Sequence, residues 1–435
     1  MPRPALSRTV GTIAATAAVL LTAGFTPVHG SSSAGPRVAA APAAVEQSGA
    51  LFNNPLGTAE EQQRIRTKIL QYVGTSPASA SIKVALYHFW DQEVGQALAD
   101  AHARGVGVQL VLDESTVSAR PSDPTYGILR TSLGGDTSQP SFVTLCPAGK
   151  SCLGRPEFGA SINHNKFWLF SQVDGAADVT LQTSTNMSPS SYSAFWNDAF
   201  VVANNTGIYN AYASYFTDLV RHDAENWRYR SSTWSPYKAY FFPYYPGTGN
   251  TTDTIWNTLD NVTCTYTQDG AAKTTKVRVA MFKFTRQGVA DKLVALKKAG
   301  CSVELVYTET DSKASSADGQ TPGTWETLHS ATGFTPLCYH HDHDNNAATS
   351  ARVIHSKYLL IDGKYDGTVN KVLWTGSHNY SGPALRENDE ALLKVDDSAQ
   401  HDLYVAHFNS VKAAAVPGTA DDVPQCKGVL TQPEG

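Results

Sequence analysis

The sequence predicts an α/β protein made of two copies of one domain, each a mixed sheet flanked by helices, related to each other by a pseudo-twofold axis. Three observations predict this class. Apolar, β-branched runs alternate with amphipathic helical stretches, the same strand–helix–strand unit occurs in both halves, and a set of polar residues recurs with it. A chain of 435 residues is long enough for two or three domains with sizeable cores.

The repeated unit begins with a strand rich in β-branched and aromatic residues. Residues 82–89 read IKVALYHF, and residues 277–284, which lie 195 positions later, read VRVAMFKF. An amphipathic helix follows in each half. Gly105 and Gly300, again 195 positions apart, are predicted to end these helices before a second apolar strand.

This repeat, extended by the motifs below, divides the chain into segments. We expect a first domain over 50–225, a bridge over 226–250 and a second domain over 238–425. The bridge is rich in Trp, Tyr and Pro, which suits either ordinary packing between domains or contact with a water–lipid interface.

The composition excludes some classes of protein. The chain is 41% hydrophobic and 10% aromatic, which excludes a disordered chain, because disordered chains lack the apolar surface for a core. The formal net charge is −5, which argues against a protein that binds nucleic acid by bulk positive charge.

The first 49 residues predict export. Arg3 and Arg8 precede an apolar stretch over 12–23, and this stretch is too short to span a bilayer. We therefore expect a signal peptide over 1–30 and a flexible Ala/Ser/Pro-rich segment over 31–49. The mature protein is expected to be secreted, extracellular and monomeric, without a membrane span.

An even number of cysteines in an exported chain predicts disulfides. The sequence contains six and no CxxC pair, so we expect three disulfides and no metal site. Cys146 and Cys152 are near enough in sequence to close one loop. The other four are Cys264, Cys301, Cys338 and Cys426.

The repeat continues into polar residues that no core requires. A His-x-Lys pair stands before an apolar run in each half, and both side chains of a pair share one strand face. A Ser-x-Asn pair and then an acid at the start of an apolar strand follow in each half. The first copy is His164, Lys166, Ser184, Asn186 and Asp198, and the second is His355, Lys357, Ser377, Asn379 and Glu390.

These residue types suit cleavage of a phosphodiester. Two lysines and two Ser-x-Asn pairs can bind the phosphate and stabilise the negative charge that develops on its oxygens, without a metal or other cofactor. One imidazole can attack phosphorus while a second, protonated imidazole donates to the leaving oxygen. Asp198 and Glu390, aligned 192 positions apart, can accept the other ring N–H of each histidine and orient it. Each half carries half of this apparatus, so the two copies must face each other.

These motifs resemble the phospholipase D superfamily, whose signature, His-x-Lys-x4-Asp, occurs twice. Residues 355–362 (HSKYLLID) match in full, whereas residues 164–171 (HNKFWLFS) have Ser171 where the signature has Asp. Asp362 lies on the strand face opposite His355, so we expect it to order a turn with the glycine after it or to hold a neighbouring loop. Ser171 is expected to make part of the same structural contribution.

The resemblance implies a mechanism and a site. It implies a covalent phosphohistidine intermediate, no metal, and an active site at the interface of the two repeats. By similarity to secreted bacterial phospholipases of this superfamily, His164 is the nucleophile and His355 the general acid. The implied activity is hydrolysis of glycerophospholipids at a lipid–water interface to phosphatidic acid and a free alcohol, with possible transfer to another alcohol.

Other interpretations stay open. The substrate is alternatively nucleic acid, cut by a secreted metal-independent endonuclease, or the chain is a binding protein whose first site has decayed at Ser171. The serines and asparagines also suit turns, and the two acids suit strand edges. Residues 339–344 (YHHDHD) are expected to form a solvated loop rather than a metal site. Thr185 and His378, which stand inside the Ser-x-Asn pairs, are assigned no role.

Overall fold

A computed structural model describes most of the chain after residue 47. The described residues are 48–155, 157, 161–173, 175–245, 252–313, 320–342, 350–419 and 426. The predicted signal peptide and almost all of the predicted flexible segment lie outside them.

The described residues of the first half form eight strands and seven helices. They are β1 (Gly49–Phe52), α1 (Ala59–Gln62), α2 (Arg64–Thr75), β2 (Ser81–Leu86), α3 (Gln92–Ala103), β3 (Gly107–Leu112), α4 (Ser115–Ser118), α5 (Thr125–Leu133), β4 (Phe142–Leu145), β5 (Lys166–Val173), β6 (Ala176–Thr183), α6 (Pro189–Ser193), β7 (Phe195–Trp196), β8 (Asp198–Val202) and α7 (Thr206–Arg221).

The remaining elements belong to the bridge and the second half. They are β9 (Arg230–Trp234), β10 (Tyr237–Phe242), α8 (Thr254–Asp260), β11 (Val262–Thr263), β12 (Thr265–Gln268), β13 (Ala271–Thr274), β14 (Lys276–Phe284), α9 (Gln287–Lys298), β15 (Ser302–Thr310), α10 (Thr324–His329), β16 (Leu337–Cys338), β17 (His340–His341), β18 (Arg352–Ile354), β19 (Lys357–Tyr365), β20 (Thr368–Gly376), α11 (Gly382–Arg386), β21 (Glu390–Val395), α12 (Ser398–Ala414) and β22 (Val416–Pro417).

Two large mixed sheets correspond strand for strand. The first has the order β1-β8-β6-β5-β2-β3-β4. The second has the order β22-β16-β15-β14-β19-β20-β21-β10-β9, so its inner run, read backwards from β10 to β16, repeats the first. In the first sheet β2, β3 and β4 run parallel to one another, as β14, β15 and β16 do in the second. The other neighbouring strands of both sheets pair antiparallel. The predicted α/β class with duplicated domains is confirmed.

The bridge contributes strands to the second sheet. β10 pairs antiparallel with β21, as β1 pairs antiparallel with β8, and β9 forms the outer edge beside β10. Each repeat therefore receives one strand, β1 or β10, from the chain that precedes its first helix.

The predicted helix stops occur where expected. α3 is followed by Gly105 at φ 96°, and α9 by Gly300 at φ 94°. Both angles lie in the left-handed region, where a side chain is strained, so glycine suits both positions. Asp91 caps the start of α3 by accepting from the backbone N–H of Val94.

The described residues form three large apolar cores and one small apolar cluster, which contains Phe195 and Phe282. The central core lies between the two sheets and includes buried tyrosines of α7 and α12, among them Tyr215 and Tyr404. A second core packs α2, α3 and α5 on the outer face of the first sheet, and a third packs α8, α9 and α10 on the outer face of the second. The central core therefore joins the two repeats face to face.

The three predicted disulfides are present, and Cys146–Cys152 is one of them. The other two bonds, which the sequence left open, are Cys264–Cys301 and Cys338–Cys426. The last closes the longest loop, with a sequence separation of 88, and ties the C-terminal segment to the second sheet. None of the helices in the described part of the chain combines the length and the apolar character that crossing a membrane requires.

Candidate active site

The two His-x-Lys pairs begin equivalent central strands. His164 precedes β5 and His355 precedes β19, and all four His and Lys side chains are buried. The ammonium group of each lysine donates a hydrogen bond to the backbone carbonyl of the histidine in the same motif. Lys166 Nζ donates to the carbonyl of His164 at 3.0 Å, and Lys357 Nζ donates to that of His355 at 2.7 Å.

The backbone N–H of each histidine forms a hydrogen bond with a carbonyl of the opposite repeat. The N–H of His164 donates to the carbonyl of Asp389 at 3.0 Å, and the N–H of His355 donates to that of Trp196 at 2.9 Å. These reciprocal bonds place both motifs at the boundary between the repeats.

The ring of His164 is held by a carboxylate of the second repeat. His164 Nδ1 lies 2.8 Å from Glu390 Oε1, with both side chains buried. The hydroxyl of Ser377 donates to the other carboxylate oxygen, Oε2, in a short hydrogen bond. Ser377 therefore fixes the rotamer of Glu390, and Glu390 in turn orients the ring.

The ring of His355 is held by an amide of the first repeat. His355 Nδ1 lies 2.9 Å from Asn197 Oδ1. Asn197 Nδ2 donates to the carbonyl of Ser191 at 2.9 Å, and Ser184 Oγ donates to Oδ1 at 2.8 Å. These two bonds fix which end of the amide faces the ring, so Nδ1 of His355 is the donor and carries a proton.

The sheet register corrects the sequence alignment at this point. Thr183 pairs with Ala199, and Gly376 pairs with Leu392, so the two repeats are 193 positions apart here rather than 192. Glu390 therefore corresponds to Asn197. The expectation that Asp198 accepts the ring N–H of a histidine is wrong, because a shift of one residue along a strand turns the side chain to the other face.

Asp198 instead ties the repeats together inside the central core. Its Oδ2 accepts from the hydroxyl of Tyr404 at 3.0 Å and from that of Thr375 in a shorter bond. Both partners belong to the second repeat. The carboxyl group is fully buried, and this burial raises its pKa above the ordinary value of 3.8.

The Ser-x-Asn pairs follow the ends of β6 and β20, the sheet neighbours of the two histidine strands. Ser184 and Ser377 hydrogen-bond to Asn197 and Glu390, so these serines act on the groups that orient the rings. Asn186 is fully buried and Asn379 nearly so.

Aromatic side chains surround the two rings in a pseudo-symmetric way. The ring of Tyr87 lies 5.5 Å from that of His164, and the ring of Phe282 lies 4.9 Å from that of His355. Phe195 contacts His355 at 5.2 Å. Polar interactions are stronger in such surroundings because little water screens them. The sequence motifs do not predict these aromatic residues or Asn197 as part of the site, although Tyr87 and Phe282 are related by the same repeat of 195 positions.

The structure places Ser171 and Asp362 away from the histidines. Each is seven residues along its strand, about 23 Å at ~3.3 Å per residue. Ser171 Oγ accepts from the backbone N–H of Ser81 at 2.8 Å, and Asp362 pairs with Lys276 at 3.2 Å. Asp362 lies within strand β19, which continues to Tyr365, so of its two predicted roles the turn is wrong.

The His/Asp-rich tract at residues 339–344 is partly a strand and not wholly the predicted loop. His340 and His341 form strand β17, which pairs with β18, and β18 pairs with β7 of the first half. This small sheet crosses the repeat boundary, where a loop was expected. Residues 343 and 344 lie outside the described residues. The group of potential metal ligands found in the described part is Cys146, Cys152 and His222, and its two sulfurs already form a disulfide.

Two α/β repeats that bring paired His-x-Lys motifs to one interface define a phosphodiesterase-type enzyme. Comparison with protein families matches residues 76–220 and 270–412 to the family described as cardiolipin synthase, phospholipase D-like domain. These two matches cover more than half of the chain. The protein belongs to this family, and thereby to the phospholipase D superfamily.

Solved structures share the fold at low sequence identity. A phosphatidylserine synthase from Haemophilus influenzae is 12% identical with a TM-score of 0.53, and the alignment covers 85% of this chain and 87% of that one. A polyphosphate kinase from Porphyromonas gingivalis is 12% identical with a TM-score of 0.50, covering 84% of this chain. This chain spans only 50% of that kinase's length. A search of curated proteins finds no match.

Proposed function

We propose that the protein is an exported phospholipase D that hydrolyses glycerophospholipids to phosphatidic acid and a free alcohol. The observation that carries the mechanism is that each catalytic ring is held at Nδ1 by a residue of the other repeat, at 2.8 Å for His164 and 2.9 Å for His355. With Nδ1 held, Nε2 is the nitrogen that reacts at each ring.

The difference between the two ring partners supports His164 as the nucleophile. When Nε2 of His164 attacks phosphorus, the ring takes up positive charge in the phosphohistidine. The carboxylate of Glu390 stabilises that charge at 2.8 Å from Nδ1. Asn197 offers His355 a neutral oxygen, so a protonated His355 keeps less stabilisation and gives up its proton more readily.

The reaction then balances in two steps. In the first, the nitrogen–phosphorus bond forms, the bond from phosphorus to the head-group oxygen breaks, and His355 protonates that oxygen. In the second, His355 takes a proton from water as the water oxygen attacks phosphorus, and the nitrogen–phosphorus bond of His164 breaks. An alcohol in place of water transfers the phosphatidyl group to that alcohol.

Lys166 and Lys357 supply positive charge beside the reacting phosphate. Both ammonium groups are buried and lie near aromatic rings, at 5.3 Å from Tyr87 and 4.9 Å from Phe282. Asn186 and Asn379 add amide donors from the neighbouring strands. Fixed donors in a site that excludes water stabilise a developing oxyanion more effectively than mobile water does.

Several observations support a lipid substrate and export. The net charge of −5 is unfavourable for a polyanion such as DNA. The matching family is described by a phospholipid-forming enzyme, and the fold is shared with a phosphatidylserine synthase. Three disulfides are compatible with an oxidising compartment outside the cell.

The test compares two substrates in the presence of excess EDTA. The mature protein should release choline from phosphatidylcholine vesicles and leave DNA uncut, because lysines and amides supply the field that a metal would otherwise supply. Cleavage of DNA alone would favour the endonuclease interpretation. Loss of lipid hydrolysis with EDTA and its return with a divalent ion would overturn the metal-free mechanism.

A further inference from the structure

We propose that Arg286 and His378 form a subsite beside the phosphodiester that binds a second anionic group, a carboxylate or a terminal phosphate, carried by the head group. This proposal rests on the proposed function, since it names the class of head group that the same site accepts. It is carried by two buried polar side chains, each with nitrogen atoms that have no hydrogen-bond partner in the described part of the chain.

His378 lies inside the second Ser-x-Asn pair and is fully buried. Neither ring nitrogen has a hydrogen-bond partner among the residues that the structure describes. Burial lowers the pKa of the imidazole well below 6.5, and the nearby charge of Arg286 lowers it further, so the ring is neutral. A neutral imidazole has one N–H to donate, and leaving it unused in the interior is unfavourable.

Arg286 is nine-tenths buried at the start of α9. Its Nε lies 2.9 Å from Asp253 Oδ2. Nη1 and Nη2 donate to no atom of the described part of the chain. Two parallel N–H groups of a guanidinium match the two oxygens of a carboxylate or phosphate.

A contact through Tyr380 and an electrostatic interaction place the two side chains in one cluster. The guanidinium of Arg286 lies 5.6 Å from the ring of Tyr380, two residues after His378. The charge of a second guanidinium, Arg386, also acts on Arg286 and offsets the ion pair with Asp253. Two guanidinium groups and one carboxylate leave the cluster with a net positive charge, which one bound anion would neutralise.

This cluster adjoins the nucleophile. The ring of His378 lies 4.3 Å from that of Phe242, and Phe242 pairs in register with Glu390, which holds His164. His164 is near enough that a positive charge on its ring would lower the pKa of His378. We therefore infer that an anionic group bound at Arg286 and His378 belongs to the same head group whose phosphate His164 attacks.

The position in the first repeat that corresponds to Arg286 is occupied by a residue with a purely structural role. Asp91, 195 positions before Arg286, pairs with Arg66 through two hydrogen bonds of 2.6 and 3.1 Å, and Tyr192 donates to it at 2.7 Å. That ion pair has the reverse polarity, and both Nε and Nη2 of Arg66 donate to carboxylates, Nη2 also to Glu93. Arg286 keeps donors unused at the equivalent position, so the fold alone does not account for it.

The burial of both side chains selects a compact ligand. Arg286 and His378 are 8% and 0% exposed, so the subsite suits a small head group and is unsuited to a polynucleotide that must lie along a surface groove. Serine and ethanolamine head groups differ only in a carboxylate. Phosphatidylglycerol phosphate and phosphatidylglycerol differ only in a terminal phosphate.

The experiment measures kcat/KM for these two pairs of dihexanoyl lipids as monomers, so that surface charge does not enter. We expect the wild type to prefer the anionic member of at least one pair, and the pair concerned identifies the ligand. R286Q and H378T, the latter copying Thr185 of the first repeat, should reduce that preference about tenfold, and R286K should reduce it less. R66Q is the matched control, because it breaks the corresponding ion pair and should leave the preference unchanged.

The affinities of the protein for O-phosphoserine and for O-phosphoethanolamine, measured by calorimetry, test the subsite separately from the proposed lipid hydrolysis. A preference for O-phosphoserine that R286Q abolishes supports a carboxylate subsite even if no lipid is cleaved, in which case only the proposed function fails. An enzyme that cleaves these lipids with the same preference in wild type, R286Q and H378T would overturn the subsite and leave the proposed function standing.

Discussion

Asn197 and Glu390 occupy equivalent positions in the two repeats, and each accepts a hydrogen bond from Nδ1 of the histidine in the other repeat. Each is also held by the serine of its own Ser-x-Asn pair. The arrangement is symmetric in geometry and asymmetric in charge. A neutral amide faces one ring and a carboxylate the other, so the two histidines are suited to different steps of one reaction.

We expect N197D to move the alkaline limb of the pH–rate profile upward by about one unit, because a carboxylate at this position stabilises protonated His355. The turnover number near neutrality should fall, since the general acid then donates less readily. The profile of kcat/KM against pH measures this. D198N is the control, since Asp198 does not touch the ring, and an equal shift in D198N would contradict the assignment.

Variants of the two histidines should differ in whether a covalent phosphatidyl–protein intermediate accumulates. H355N should accumulate a protein-bound phosphatidyl group, because attack by His164 still occurs and the base that activates water is missing. H164N should bind none and lose at least about a thousandfold in rate, roughly 4 kcal/mol in barrier. Mass spectrometry of acid-quenched protein measures the adduct, and an adduct in H164N alone would reverse the roles.

Asp198 should make stability depend on pH. Its pKa is raised by burial in the folded protein, so the contribution of the protonated form is present below the ordinary value of 3.8 and is lost as pH rises through the raised pKa. D198N should therefore gain stability relative to the wild type as pH rises above about 4. Thermal unfolding midpoints across this range measure the effect.

An exposed carboxylate gives the control for that prediction. The pKa of Asp136 is lowered, chiefly by a hydrogen bond from Ser138, so its contribution to stability is present above 3.8 and is lost as pH falls. D136N should show the opposite trend to D198N. Parallel trends in the two variants would contradict the burial argument.

Ser171 should matter little to the chemistry. Its hydroxyl bonds the backbone of Ser81 at the far end of strand β5, and an aspartate there can accept the same bond. We expect S171D to change kcat by less than about tenfold, or ~1.4 kcal/mol in barrier. An inactive wild type that S171D made active would show instead that the first motif had decayed.

Repeated sequence patterns are enough to predict the fold class of this protein and several of its local features. The α/β class, the duplication, the helix stops at Gly105 and Gly300 and the Cys146–Cys152 disulfide follow from local signals, because hydrophobic period, glycine conformation and short loop closure act over few residues. The two His-x-Lys pairs were visible for the same reason, since strand residues i and i+2 share a face.

Only the tertiary structure decided how the halves meet. The role of Asn197 depends on strand register, where a shift of one residue exchanges the two faces of the strand. A sequence alignment with short gaps does not resolve such a shift. The pairings of Cys264 and Cys338, and the cluster of Arg286 with His378, also join residues far apart in the chain. Their contacts arise when two sheets pack through a shared core, a relation that sequence spacing does not encode.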